Sequence, residues 1–303
     1  MANKVVHRIE TISEYHKVMG LPKPEHPLIS VIDYNTIQLP CQSGVSFVFD
    51  FYAILLDRNF KGKMKYGQQQ YDFDEGVLLL MFPGQVFEVD EQEVLNRSGW
   101  LLIIHPDFLW NTPLAKTIKQ YGFFDYSVNE ALFLSDKEET VVVSIIQNMA
   151  REYQSSIDEF SQPVILAHLE LLLTYADRFY RRQFITRKIN NHQILNRLEK
   201  LLTSYFNSDD LINKGLPTVQ GIAEQLSVSP NYLSNLLRVL TGQNTQQHIH
   251  DKLLEKAKEK LSTTDLTISE IAYQLGFEHL QSFSKLFKAK TQLSPLQFRQ
   301  SFR

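Results

Sequence analysis

Ile271-Ala272-Tyr273-Gln274-Leu275-Gly276-Phe277 returns to a pattern already present forty-nine positions earlier, Ile222-Ala223-Glu224-Gln225-Leu226-Ser227-Val228. One extra residue then enters, so Leu233, Leu236 and Leu237 answer to Phe283, Leu286 and Phe287 at an offset of fifty. Thr241-Gly242 answers to Thr291-Gln292 at the same offset. Each copy reads as a helix, a tight turn and a second helix, the layout of a helix-turn-helix. Two such units on one chain place two helices in successive major grooves of a DNA duplex, about 34 Å apart.

In the first copy Thr218, just after Leu216-Pro217, stands where an N-cap is wanted, because its hydroxyl accepts from an otherwise unpartnered N–H of the first turn. Ile222, Ala223 and Leu226 then share one helical face. Ser229-Pro230 is a second start signal, Ser as cap and Pro at the first helical position. The helix that follows is expected to bury Leu233, Leu236, Leu237 and Leu240 and to turn Asn231, Ser234, Asn235 and Arg238 outward. Asn pairs bidentately with adenine, Arg with guanine, and Ser with several partners. An ordinary solvated helix face is the alternative reading of the same four residues.

In the second copy Thr267 or Ser269 caps a helix with Ile271, Ala272 and Leu275 inward, and Gly276 makes the turn. Phe283, Leu286 and Phe287 are expected in the core, with His279, Gln281, Ser284, Lys285 and Lys288 facing out. Two lysines among polar donors suit phosphate contact better than dense base readout. Between the copies, Gln246 to Leu261 reads as one long helix with Ile249, Leu253, Leu254, Ala257 and Leu261 as its apolar stripe, which fixes the spacing of the two units.

Residues 192–303 resemble the DNA-binding domain of AraC/XylS-type transcription regulators. The resemblance is carried by Ile268-Ser-Glu-Ile-Ala-Tyr-Gln-Leu-Gly-Phe277, then Phe283-Ser-Lys-Leu-Phe-Lys288 and Ser294-Pro295-x-x-Phe298-Arg299. It implies that Asn231, Ser234, Asn235 and Arg238 contact bases or backbone in the first unit, and that Leu280, Gln281, Ser284 and Lys285 do so in the second. Two residues depart from the family pattern. Gln292 stands where Gly is usual, so the end of that helix either carries a side chain at positive φ or turns differently. Leu253 stands where Arg is common, which takes a charged tie out of the connection between units.

The net charge of −3 divides unevenly. Residues 192–303 carry 13 Lys+Arg against 10 Asp+Glu, and residues 1–191 carry 18 against 24. The asymmetry puts an anionic partner, double-stranded DNA, at the C-terminal end, with affinity that depends on dimerisation and on salt. A single cysteine, Cys41, excludes an internal disulfide framework and a Cys-rich zinc site, and reads as an inert thiol. Without an apolar leader or a membrane-length stretch, a soluble cytoplasmic protein is expected, with no membrane partner.

Upstream, short apolar runs at Val45–Phe51, Ala53–Leu56, Gly76–Phe82, Gln85–Val89 and Gly99–Ile104 predict a small sandwich or barrel. The family resemblance implies a cupin-like barrel here that senses a small-molecule effector. Phe47, Phe49, Phe51, Tyr52, Tyr66, Phe73, Phe82 and Phe87 are candidates to line its interior or simply to fill it. Metal-binding cupins need paired histidines, and His7, His16, His26 and His105 are scattered, so neither a metal nor another cofactor is expected.

Helical patterns follow at Glu138–Ser155 and Gln162–Phe184. In the second, Ile165, Leu169, Leu172, Ala176 and Phe179 step by 4, 3, 4 and 3, which is an a/d seam. It reads either as packing within the domain or as half of a dimer contact, and the resemblance favours dimerisation. Polar residues 185–191, with Arg187 and Lys188 in a basic run, read as a short linker.

The whole is an α+β chain: a sensing and dimerisation domain at 1–184, the linker, and an all-α DNA-binding domain at 192–303. The leading reading is a homodimeric, effector-controlled, sequence-specific transcription regulator, with RNA polymerase as a partner implied by the family. Two others stand beside it: a ligand-independent regulator whose barrel only dimerises, and a cupin-type enzyme with a DNA-binding tail. The missing histidine pair argues against the enzyme.

Overall fold

The computed structural model describes residues 6–34, 46–58, 76–88, 98–126, 130–155, 158–186, 188–208, 211 and 215–301. Cys41, Tyr66, Phe73, Arg187 and the side chains of Phe87 and Lys188 lie outside what is described. The chain forms two compact units, residues 1–187 and 188–303.

The first unit holds strands β1 (Val6–Ile9), β2 (Ile29–Asp33), β3 (Ser46–Phe49), β4 (Tyr52–Asp57), β5 (Gly76–Met81), β6 (Val86–Glu88), β7 (Gly99–Ile104) and β8 (Leu132–Leu134). Its helices are α1 (Ile12–Val18), α2 (Leu114–Thr117), α3 (Asp136–Gln154) and α4 (Ser161–Thr186). The strands form a three-stranded sheet in the order β1-β3-β6 and a five-stranded sheet in the order β2-β7-β4-β5-β8. All pairs are antiparallel except β1 with β3.

A closed barrel was expected, but among the described residues no ladder joins the two sheets. They face each other across a filled core instead. Tyr15 of α1 meets Phe49 and Phe51 edge-on at ring separations of 5.6 and 5.9 Å, and Phe49 stacks on Phe47 at 6.1 Å. Ala53, Leu55, Val77, Leu79, Leu101 and Ile103 supply the opposing face. Tyr52 and Phe82, candidates for the same interior, pack elsewhere, against Phe124 at 5.6 and 5.0 Å.

The other face of the large sheet is buried as well, so β4 carries no exposed position. Two covered faces explain why these strands read as continuous apolar runs rather than alternating ones. Strands β1, β2 and β8 and helix α1 were not anticipated, being too short or too polar at their ends to stand out.

Helix α3 opens with a capping box, in which Ser135 Oγ accepts from Glu138 N while Glu138 accepts from Ser135 N. Helix α4 packs against α3 and β8. Its a/d seam is consumed there: Ile165, Leu169, Leu172, Ala176 and Phe179 are all buried within the unit. Of the two readings of these five residues, packing within the domain accounts for their burial in a single chain. Heptad spacing marks a stripe that must be covered, not what covers it. At the end of α4, Gln183 Oε1 accepts from Phe133 N (2.8 Å) and Gln183 Nε2 donates to Ala131 O (3.0 Å). Arg182 Nη2 donates to Phe133 O (2.7 Å) and holds Glu138. Side chains thus take the place of a further strand beside β8.

The second unit is helical: α5 (Lys188–Asn207), α6 (Val219–Leu226), α7 (Pro230–Thr241), α8 (Thr245–Thr263), α9 (Ile268–Gln274), α10 (Leu280–Thr291) and α11 (Pro295–Gln300). Residues 185–191 are helical on both sides of Arg187, in α4 and α5. Each repeat is a helix pair, α6–α7 and α9–α10, and the repeat extends one helix beyond the sequence pattern. Asn244 and Gln247 form a capping box at the start of α8, and Ser294 and Gln297 form one at the start of α11, fifty positions on.

One core runs through both pairs, and α8 gives Ile249, Leu253, Leu254, Ala257 and Leu261 to it. Leu253 is fully buried, so the position where the family commonly has Arg serves apolar packing here. Leu240 and Leu286, expected inside, are only half-buried, whereas Tyr232 is buried.

Helix α7 ends at Gly242 with φ +77°, and α10 ends at the matching Gln292 with φ +63°. The left-handed conformation costs an L-residue about 1–2 kcal/mol, which glycine avoids. Gln292→Gly gives back about 0.4–1 kcal/mol in unfolded-chain entropy. The expected net gain is about 0.5–1 kcal/mol, read as a raised denaturation midpoint with an unchanged slope.

Candidate nucleic-acid interface

Side-chain caps start α6, α7 and α9. Thr218 Oγ1 accepts from Gly221 N (3.0 Å), starting α6, and Ser229 Oγ accepts from Tyr232 N (3.3 Å), starting α7. In the second module Thr267, not Ser269, caps α9, with Glu270 returning to Thr267 N at 2.7 Å. These hydrogen bonds hold the carboxyl of Glu270 below the usual range. Gly276, at φ +83°, makes the second turn, where a Cβ would lie 3.0 Å from the backbone of Gly215.

On α7, Asn231 and Arg238 are exposed and Asn235 is half-buried. Arg238 Nη1 donates to Asn235 Oδ1 at 3.1 Å, which holds two base-reading side-chain types together on one face. Ser234 is placed differently. It is half-buried, and its hydroxyl lies 3.0 Å from that of Thr245, which is 0% exposed at the first position of α8. The spacing that puts Ser234 among the readers also puts it where α7 meets α8. Thr245 could not be singled out from sequence, because its importance comes only from that contact.

On α10, Gln281, Lys285 and Lys288 are exposed and Ser284 is half-buried. His279 is the exposed N-cap residue and makes no side-chain capping bond. Leu280 packs at the edge of the core and so contributes shape more than polar contact. Lys288 and Lys290 lie in the last turn of α10. Burial holds His248 and His250 of α8 below the usual histidine range, and nearby Lys290 lowers His250 further. Both shifts disfavour the charged imidazolium.

The two modules are also braced alike. Arg197 Nη2 of α5 donates to the carbonyl oxygen of Gln225 (3.4 Å), and Lys260 Nζ of α8 donates to Oε1 of the matching Gln274 (2.8 Å). Among the described residues, no group of three or more His, Cys, Asp and Glu is placed to hold a metal ion, and no helix is long and apolar enough to cross a membrane.

Two capped helix pairs, each with one polar helix face, joined by a shared helix, define a DNA-binding module. A helix-turn-helix domain family model matches residues 222–301. The transcriptional activator RhaS of Salmonella paratyphi B is 32% identical over 255 residues, covering 83% of this chain and 86% of RhaS. The HTH-type transcriptional regulator YijO of Escherichia coli K12 is 32% identical over 85 residues, only 28% of this chain and 30% of YijO. Among solved structures, the C-terminal domain of the response regulator yesN from Fusobacterium nucleatum is 35% identical, with a TM-score of 0.29, over 36% of this chain and 95% of that domain. The chain belongs to the AraC/XylS family of transcription regulators. Its C-terminal unit carries the helix-turn-helix DNA-binding domain of that family.

The Ser234–Thr245 pair gives a direct test of what positions α7. Ser234→Ala leaves the buried Thr245 hydroxyl unpartnered and should cost about 1–3 kcal/mol. Adding Thr245→Val should return most of that loss, giving strong non-additivity in urea unfolding of the double variant.

Proposed function

We propose that the protein is a sequence-specific transcription regulator that binds paired operator half-sites as a homodimer. In this reading α7 reads bases through Asn231, Asn235 and Arg238, and Ser234 sets the helix from behind. Helix α10 contributes Gln281 and Ser284 near base edges and Lys285, Lys288 and His279 at phosphates, with Leu280 shaping the approach. The observation that carries the reading is the pair of polar helix faces held on one continuous helix, α8. Residues 1–184 act as the sensing and dimerising part, and 192–303 as the reader. An interaction with RNA polymerase on DNA, and a cytoplasmic site of action, follow from the same reading.

The dimer surface is reassigned to the open side of α4. There Val164 and Leu171 are 37% and 43% exposed, with Ala167, Thr174 and Arg178 at the same helical spacing. Asp158 and Glu159 lie before the start of this stripe, and Arg178 and Arg181 near its end. An antiparallel copy brings opposite charges together at both ends. Control by a small-molecule effector is the favoured mode. It acts by differential affinity for the states of the regulator that do and do not bind DNA. The packed aromatics between the sheets favour the second reading, a unit that dimerises without a ligand.

Selection of genomic fragments with the purified protein at two salt concentrations tests the reading. It should yield one motif spanning at least two major-groove turns; salt-labile binding without a motif would sink it. Asn235→Ala and Arg238→Ala should each weaken binding to that motif by about 1–3 kcal/mol and leave random DNA nearly unaffected. Lys285→Ala and Lys288→Ala should weaken both alike and lower the salt slope by about 1 each.

For the dimer, Leu171→Glu should give a monomer by sedimentation equilibrium and weaken binding to paired half-sites more than to a single one. An unchanged dimer would refute the assignment to α4.

A further inference from the structure

Helices α5 and α6 do not close on each other along their full length. Between them lies a cleft of about 560 Å³, within the size range of small-molecule sites. Its apolar surface comes from Leu201 and Tyr205 of α5, Ile222 of α6, and Leu216 and Pro217 of the segment between. Hydroxyl and amide groups of Ser204, Ser208, Thr218 and Gln225 complete it. Among the described residues, no Lys, Arg, Asp or Glu lines it.

The internal repeat differs at this cleft. Position 221, which also lines the cleft, corresponds to Glu270 in the second module. Glu270 folds its carboxylate back onto Thr267 N, whereas Gly221 has no side chain to occupy the equivalent space.

We propose that this cleft binds an uncharged ring compound with hydrogen-bonding substituents, distinct from any effector of the N-terminal unit. A charged ligand would meet no counter-charge among the described lining residues, and its desolvation is costly. A neutral ring lies against Tyr205 and the apolar side chains, and its polar substituents meet hydroxyls that both donate and accept. An occupant bridges α5 to α6, and α6 is the helix on which reading helix α7 packs. The site therefore bears on DNA reading from within the reader itself.

The test uses the full chain and backbone-amide NMR, without DNA, so that its outcome is independent of the regulator reading. Benzamide, indole and 4-hydroxybenzamide serve as uncharged probes, with benzoate and benzylammonium as charged counterparts. The neutral probes should shift the amides of Leu201, Tyr205, Gly221 and Ile222 with Kd of about 1 mM or tighter, and the charged ones should bind at least about tenfold more weakly.

Gly221→Glu installs the capping carboxylate of the second module, where the same Thr–Glu geometry is already accommodated. It should abolish the shifts while keeping or raising the melting temperature. Ser204→Met fills the cleft from the α5 side and should do the same, which guards against a folding defect in the first variant. No shift at these amides with any neutral probe, equal binding of the charged ones, or shifts that survive both variants would overturn the proposal.

Discussion

Everything in the reader depends on the burial of one face of α8. Ile249, Leu253, Leu254, Ala257 and Leu261 enter a single core that also holds Leu233 and Leu237 of the first module and Phe283 and Phe287 of the second. An apolar helix shared by two modules leaves neither one able to pack fully without the other. The caps at Asn244 and Ser294 then fix where each module hands the chain to its closing helix. The separation of α7 from α10 is therefore a property of core packing.

The N-terminal unit solves a different packing problem. Its larger sheet is covered on one side by the smaller sheet and α1, and on the other by helices. Covering both faces uses the inner stripe of α4 completely and leaves only its outer side for association. The helix is thus a structural wall on one side, while Val164 and Leu171 stay exposed on the other.

The reader was largely legible in the sequence because its signals are local. Thr218, Ser229 and Thr267 announce helix starts by chemistry that acts over three residues, and the repeat doubles each signal. Gln292 at positive φ was visible for the same reason, through its alignment with Gly242. What was hidden depends on contacts between distant residues. Ser234 looks like a reader until Thr245 is placed behind it, and Tyr232 looks like a surface residue until the core is assembled. The seam at Ile165, Leu169, Leu172, Ala176 and Phe179 has the same periodicity whether α3 or a second copy covers it. Strand β8 is three residues long, and no periodicity can be read from three residues.

The amide of Gln183 has a wider consequence. A strand at the margin of a sheet presents unpaired N–H and C=O groups that can template pairing with another chain. Beside β8, the groups of Ala131 and Phe133 are already taken by Gln183 and Arg182. A side chain occupies the place of a neighbouring backbone and offers no further ladder beyond itself. That margin of the sheet therefore cannot propagate, and the unit is guarded there against strand-by-strand aggregation by two residues of a helix.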